Sequence, residues 1–277
     1  MTRTHSNRIC ALLLALALLA GLCGCGRAEV SKYKILSVLG TKRYSVIYRK
    51  DDRLAETVDT AMETLAANGT LSAISTRWLN RNAITLEGSL PTPALPGADA
   101  ETEEDADAAP ARTLIVGVEQ NFAPMAYYEQ DGGLRGMSIE IADALGALLN
   151  WEVRYQPISP ADIETQLASG NVDCALGFDP GEVSASKCTV GVTYMESDVV
   201  VAALTNSDYG RIKDLRGMSI GTIDDPVVIR YIRADEDLAR YAGGATVYVS
   251  LQRCMTSLEN DWCAAVAMDR IMLEYLK

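Results

Sequence analysis

Histidine is all but missing from this chain: His5 is the only one in 277 residues, and phenylalanine occurs just twice. A Ser-His-Asp triad and a histidine-bearing zinc site both need an imidazole in the folded body, so neither fits. The cysteine spacings match no metal motif, and no cofactor or nucleophile constellation stands out. No catalytic residue, metal or cofactor is therefore expected. What the chain has instead is carboxylates, 37 of them against 25 lysines and arginines, for a formal net charge of -12. Such a surface repels nucleic acid and anionic lipid heads, so no nucleic-acid partner is expected.

The apolar run Ile9 to Leu22, preceded by Arg3 and Arg8, falls short of the ~20 residues of a membrane span and has the length of a signal-peptide core. It closes in Leu22-Cys23-Gly24-Cys25, which resembles a bacterial lipoprotein processing site. Residues 1–24 are then a removed signal, Cys25 an acylated first residue carrying palmitate-type chains, and residues 25–32 a tether. Cleavage takes two arginines and no acid, so the mature charge falls from -12 to -14, and His5 leaves as well. Each buried methylene of an acyl chain contributes about 0.8 kcal/mol, enough for a multiply acylated Cys25 to hold the protein on the outer side of a membrane.

Four cysteines remain in the body: Cys174, Cys188, Cys254 and Cys263. Export permits the pairs 174/188 and 254/263 to form disulfides, and burial as small apolar thiols is the competing reading.

Residues 86–112 contain Pro91, Pro93, Pro96 and Pro110 and an acidic cluster from Asp99 to Asp107. With hardly any large apolar residue this stretch cannot offset its ordering entropy, so it reads as a disordered linker. By the ~5–6 Å times root-n rule it spans roughly 30 Å.

After the linker, strands and helices alternate. Strands are expected at 114–118, 152–156 and 174–177, with a helix at 137–149 and a shorter one around Ile163 and Leu167. This order implies a parallel sheet with helices on both faces. Further strands are expected at 199–204, 218–222, 246–249 and 264–268, with helices at 227–233 and 251–258. Before the linker, strands are expected at 33–39 and 44–49. A helix follows with apolar residues at 54, 58, 61, 62 and 65, capped by Asp51-Asp52 and ended by Asn68-Gly69, and then a helix at 71–79. That first block alone is too small to bury its apolar face.

The segments Phe122-Ala-Pro-Met-Ala-Tyr127, Gly136-Met-Ser-Ile-Glu-Ile-Ala142, Val172-Asp-Cys-Ala175 and Val192-Thr-Tyr-Met195 resemble, in that order, the first lobe of the family 3 extracellular solute-binding proteins. These are the amino-acid-type receptors of ABC importers. Lys213-Asp-Leu-Arg-Gly-Met-Ser-Ile-Gly221 and Ala264-Ala-Val-Ala-Met-Asp269 resemble the second lobe. Tyr44-Ser-Val-Ile-Tyr-Arg-Lys-Asp51, Asn68-Gly-Thr-Leu71 and Arg77-Trp78-Leu79 resemble the family's C-terminal end, here placed first.

The resemblance implies an α/β, two-lobed, periplasmic-binding-protein-like type II fold. Each lobe would be a mixed, mostly parallel sheet flanked by helices, and the chain circularly permuted. Residues 33–45 and 199–277 would form the second lobe, and 46–85 and 113–198 the first. A monomer closed through the linker is expected, with a domain-swapped dimer as the alternative.

In that fold a solute lies between the lobes at the carboxyl ends of the strands. The strand ends offer Glu119, Phe122, Phe178, Asp179, Thr222, Asp224 and Asp269 as wall residues. Phe122 lies where family members often place an aromatic against the ligand, and Asp269 resembles the family aspartate that holds a substrate amino group. Ligand contact is favoured over helix capping for Asp269, whereas for Asp224 and Asp225 capping the helix that starts at Pro226 weighs at least as much.

The departures concern the carboxylate clamp. Amino-acid receptors of the family usually carry an arginine shortly after the strand at 174–177; this chain reads Asp179-Pro-Gly-Glu-Val-Ser-Ala-Ser-Lys187, leaving Lys187 as a looser point charge. The usual Gly-Ser/Thr-Thr segment reads Thr222-Ile-Asp-Asp-Pro226. The leading expectation is a lipid-anchored, extracytoplasmic receptor handing a small amino acid or amine-like solute to an ABC permease. The alternative is a degenerate receptor acting as a cell-surface sensor or scaffold.

Overall fold

The computed structural model describes residues 31–88 and 110–276. The signal, Cys25, most of the tether and the core of the linker lie outside them. One eight-stranded sheet organises the described residues, in the order β5-β2-β6-β1-β7-β10-β8-β9. Strand β1 is Tyr33–Arg49, β2 Thr113–Glu119, β5 Glu152–Ile158, β6 Cys174–Phe178 and β7 Cys188–Leu204. Strand β8 is Ile220–Ile223, β9 Ala245–Tyr248 and β10 Ala265–Asp269. A separate small hairpin joins β3, Tyr127–Tyr128, to β4, Leu134–Arg135.

The two flanks of the sheet follow one topology. On one side β2, β5 and β6 run parallel, linked by α3, Met137–Leu149, and α4, Ile163–Ser169. On the other β8, β9 and β10 run parallel, linked by α5, Pro226–Ala234, α6, Glu236–Tyr241, and α7, Leu251–Glu259. In each flank the first strand lies between the second and the third. Between the flanks, β1 and β7 form an antiparallel pair along their whole length, β1 bonding β6 at 45–48 and β7 bonding β10 at 199–202. Hydrogen bonding therefore runs unbroken through all eight strands, where the sequence suggested a sheet for each lobe.

Two expected strands, 33–39 and 44–49, are the single strand β1. Gly40 does not break it, because the glycine serves close approach: a Cβ there would lie 2.1 Å from the Tyr231 ring, whose hydroxyl donates to the Thr41 carbonyl at 2.9 Å. The strand expected at 199–204 is likewise the latter part of β7.

The residues before the linker complete the molecule. α1, Leu54–Ala67, buries Leu54, Val58, Ala61, Met62 and Leu65, and α2, Thr70–Leu79, buries Leu71, Ile74 and Leu79. Both pack on α3, and α2 also meets α8, Arg270–Tyr275. Asp52 accepts from the Leu54 N–H, and Gly69 sits at φ 82° between the two helices.

The first residues of the expected linker pack on the body. Leu86 is half-buried against the core, and Gly88 lies so close to α1 that a Cβ would come within 2.2 Å of its backbone.

All four body cysteines are buried free thiols, the second of the two readings, and neither candidate disulfide is formed. Among the described residues no group of histidine, cysteine and carboxylate side chains is arranged to hold a metal, and no helix is long and apolar enough to cross a membrane.

Candidate functional site

The carboxyl ends of β2, β6, β8 and β10 converge on the middle of β1. Three successive residues of β1 engage them. Lys42 donates to Asp225 Oδ2 at 2.8 Å, the Arg43 N–H donates to Asp179 Oδ2 at 2.8 Å, and the Tyr44 hydroxyl donates to Asp269 Oδ2 at 2.5 Å. Lys42 and Tyr44 alternate with Arg43, so both side chains leave the same face of the strand. Lys42 is 1% exposed, and its ammonium lies 4.3 Å from the centroid of the Phe122 ring.

Burial would by itself lower the lysine pKa. The carboxylates of Asp225, Glu119, Glu182 and Asp269 outweigh that effect and hold it above the ordinary lysine range. One ammonium cannot neutralise all of them. Burial pushes the Glu119 carboxyl up to about 8 and that of Glu182 up to about 7, against the pull of Lys42.

Asp179 ends the first flank. Its side chain caps the short turn Pro180–Glu182 by accepting from the Gly181 N–H, while Glu182 Oε2 accepts from the Asp179 N–H in a reciprocal capping box. Glu182 Oε1 is buried without a hydrogen-bond partner. Arg230 of α5 reaches over from the other flank, its Nη2 lying 3.7 Å from Asp179 Oδ1 and its Nη1 donating to the Gly181 carbonyl at 3.4 Å.

Of the sequence candidates, Glu119 and Phe122 both face Lys42. The loop after β2 turns through Asn121 at φ 63° and is pinned by the Phe122–Ala126 bridge, which sets the ring beneath Lys42. Four other candidates stand elsewhere or are engaged otherwise. Phe178 points to the opposite face of the sheet, where it packs in a core with Ile47, Ile158, Ile163 and Leu167. Thr222 is buried within β8 and donates to the Ile223 carbonyl. Asp224 is exposed and lines a surface cavity of about 530 Å³ with Pro226, Ile229 and Arg230.

Asp269 corrects the preference for ligand contact. It caps α8 through the Ile271 N–H, and its oxygens also accept from Tyr44 and Ser197. With both oxygens satisfied inside the protein, it is a structural hub. Of the pair at 224–225, Asp225 is the cap, accepting from the Val227 and Val228 N–H groups. Lys187 supplies no cation here, since it pairs with Glu164 on the surface at 2.7 Å.

Lys42 and Arg230, the cations that do reach the site, were missed in the sequence. For Lys42 a signal existed: in a continuous strand it shares the alternation of Tyr44, whose side is buried. The expected strands end at 39 and begin again at 44, which leaves Lys42 outside both. Arg230 sits on the exposed side of α5, where nothing local distinguishes it from a solvated arginine.

Comparisons with known proteins agree with this architecture. A solved structure of an ABC uptake transporter substrate-binding protein from Streptococcus pneumoniae, with bound histidine, superimposes with a TM-score of 0.52 at 22% identity, covering 59% of this chain and 68% of that one. That likeness shows the fold. The arginine-binding extracellular protein ArtP of Bacillus subtilis is 26% identical over 111 residues, 40% of this chain. The match takes in 43% of that relative's length. Residues 114–265, more than half of the chain, match the family described as bacterial extracellular solute-binding proteins, family 3. The chain belongs to that family of solute-binding proteins.

Proposed function

We propose that this protein is a lipid-anchored, extracytoplasmic receptor that captures a small basic amino acid or amine-like solute between two lobes and delivers it to an ABC importer. The observation that carries the reading is that Asp225, Glu119, Glu182 and the Phe122 ring all surround Lys42 at the strand ends, where the fold places its solute. Buried carboxylates bind ammonium and guanidinium groups through charge-assisted hydrogen bonds. The absence of an arginine between Asp179 and Lys187 removes the usual grip on a carboxylate, which shifts preference toward cations. The arginine-binding relative supports the same solute class.

In this reading the lobes are the two flanks of the sheet, 33–45 with 199–277 and 46–85 with 113–198. β1 and β7 are the hinge. The block 33–85 is the family's closing segment moved to the front and rejoined through the linker, so an acylated Cys25 anchors the second lobe to the membrane. Internal engagement of Asp269 favours one competing reading, a degenerate receptor serving as a cell-surface sensor.

The test uses the protein from Gly26 onward in a thermal-stability screen against amino acids, cationic amines, short peptides and organic anions. A ligand at 100 times its Kd adds about 2.7 kcal/mol, a readily visible shift. Selective stabilisation by basic amino acids or amines is expected. Cooperative melting that no solute shifts points to the sensor. Replacing Cys25 with serine in the full chain is expected to release the protein from membranes, and retention there overturns the anchor.

A further inference from the structure

The most unusual group in the molecule is the Lys42 side chain. A lysine with 1% exposure is rare unless it is paired, and this one enters the converging strand ends from the middle of β1. It does there what a solute's cation would do: its ammonium donates to a buried carboxylate of one flank, Asp225, and lies over an aromatic ring of the other, Phe122. Cation over ring and cation beside carboxylate are the two standard ways in which a protein recognises an ammonium or guanidinium ligand. A carboxylate oxygen of Glu182, buried and without a hydrogen-bond partner, provides a further acceptor beside it.

We propose that Lys42 is a tethered stand-in for the cationic group of a solute, holding the two flanks together from within, so that a cationic solute enters only by displacing it. This rests on the reading of these strand ends as the solute site. It assigns Lys42 a role in specificity: a solute must outcompete a cation already present at high effective concentration. Only solutes carrying an ammonium or guanidinium group regain what is lost when Lys42 leaves Asp225 and Phe122. Anions and neutral solutes regain neither contact.

Chemical rescue tests the assignment directly. Lys42→Ala removes the atoms of n-propylammonium from the side chain. Saturating n-propylammonium is expected to raise the Tm of this variant by about 5 °C or more. The same amine should barely move the wild type, and n-propanol should move neither. Equal responses of variant and wild type to the amine, or equal effects of amine and alcohol, overturn the proposal.

A second measurement keeps the test open should the variant fail to fold. In the wild type, Lys42 is expected to resist amine-reactive labelling read by mass spectrometry, and saturating L-arginine is expected to expose it. The two levels of inference separate cleanly. Arginine binding with Lys42 still protected keeps the receptor and overturns the stand-in. Rescue of the variant by n-propylammonium, with a wild type that binds no solute, keeps the stand-in and overturns the receptor.

Discussion

Strands β6 and β10 occupy the same place in the two flanks of the sheet, and each runs into an aspartate that starts a helical turn, yet Asp179 and Asp269 are held in different ways. Asp269 is held by hydroxyls from both crossing strands, Tyr44 of β1 and Ser197 of β7, and by the first turn of its own helix. Every partner lies in its own flank or in the crossing pair. Asp179 is held by the backbone N–H groups of Arg43 and Gly181 and by Arg230, a half-exposed guanidinium from the opposite flank. One strand end is thus a fixed joint, and the other carries a contact that a hinge movement can make or break. If the flanks close on a ligand as proposed, the Asp179–Arg230 contact is the one that would change and the Asp269 contacts would stay.

The sharpest way to break the comparison is to remove each aspartate. Asp269→Ala strands two buried hydroxyls and a cap, with an expected loss of about 3–5 kcal/mol in urea unfolding. Asp179→Ala leaves mainly backbone donors beside an exposed turn, and a loss of about 1–3 kcal/mol is expected. Equal losses would show that the two ends are alike.

The acids facing Lys42 give the next effect. A glutamate whose folded pKa is raised binds more protons folded than unfolded, so stability falls as pH rises from its ordinary value near 4.5 through its folded value. For Glu119, at about 8, that window runs from about pH 4.5 to about pH 8. Glu119→Gln is expected to flatten the decline between pH 5 and pH 8 by on the order of 2 kcal/mol. Urea midpoints at both pH values check it, and an unchanged slope removes Glu119 as the source.

Arg230→Ala should have the smallest effect on stability, about 0–1 kcal/mol, since its ion pair is half-exposed. It is expected to loosen the contact between the flanks, read as faster hydrogen exchange at Gly181 and Glu182. Unchanged exchange there would mean that the fixed and movable ends are not distinguished by Arg230.

Much of this molecule was legible in the residues. The elements expected at 114–118, 137–149, 152–156 and 174–177 fall within the strands and helix of the first flank, and the quoted segments tied both flanks to one family. The loop marked by Asn121 and Pro124 is present, and it sets the Phe122 ring beside Lys42 at the strand ends. Phe178 failed as a site residue because neighbouring residues of a strand face opposite sides, and the chain does not say which side of a doubly covered sheet holds the ligand. The continuity of β1 through Gly40 was not legible because the large ring that the glycine accommodates is remote in sequence.

By itself the sequence determined the alternation of strands and helices, the shortage of imidazole, the acidic balance and the family. Each of these is a property of composition or of local periodicity. Only the tertiary structure decided which carboxylates are already engaged and which cation faces them. Lys42 and Asp225 lie 183 residues apart, and Tyr44 and Asp269 lie 225 apart. Burial of a charge is governed by the partners that folding brings within a few ångströms, and neighbours in the chain do not reveal them.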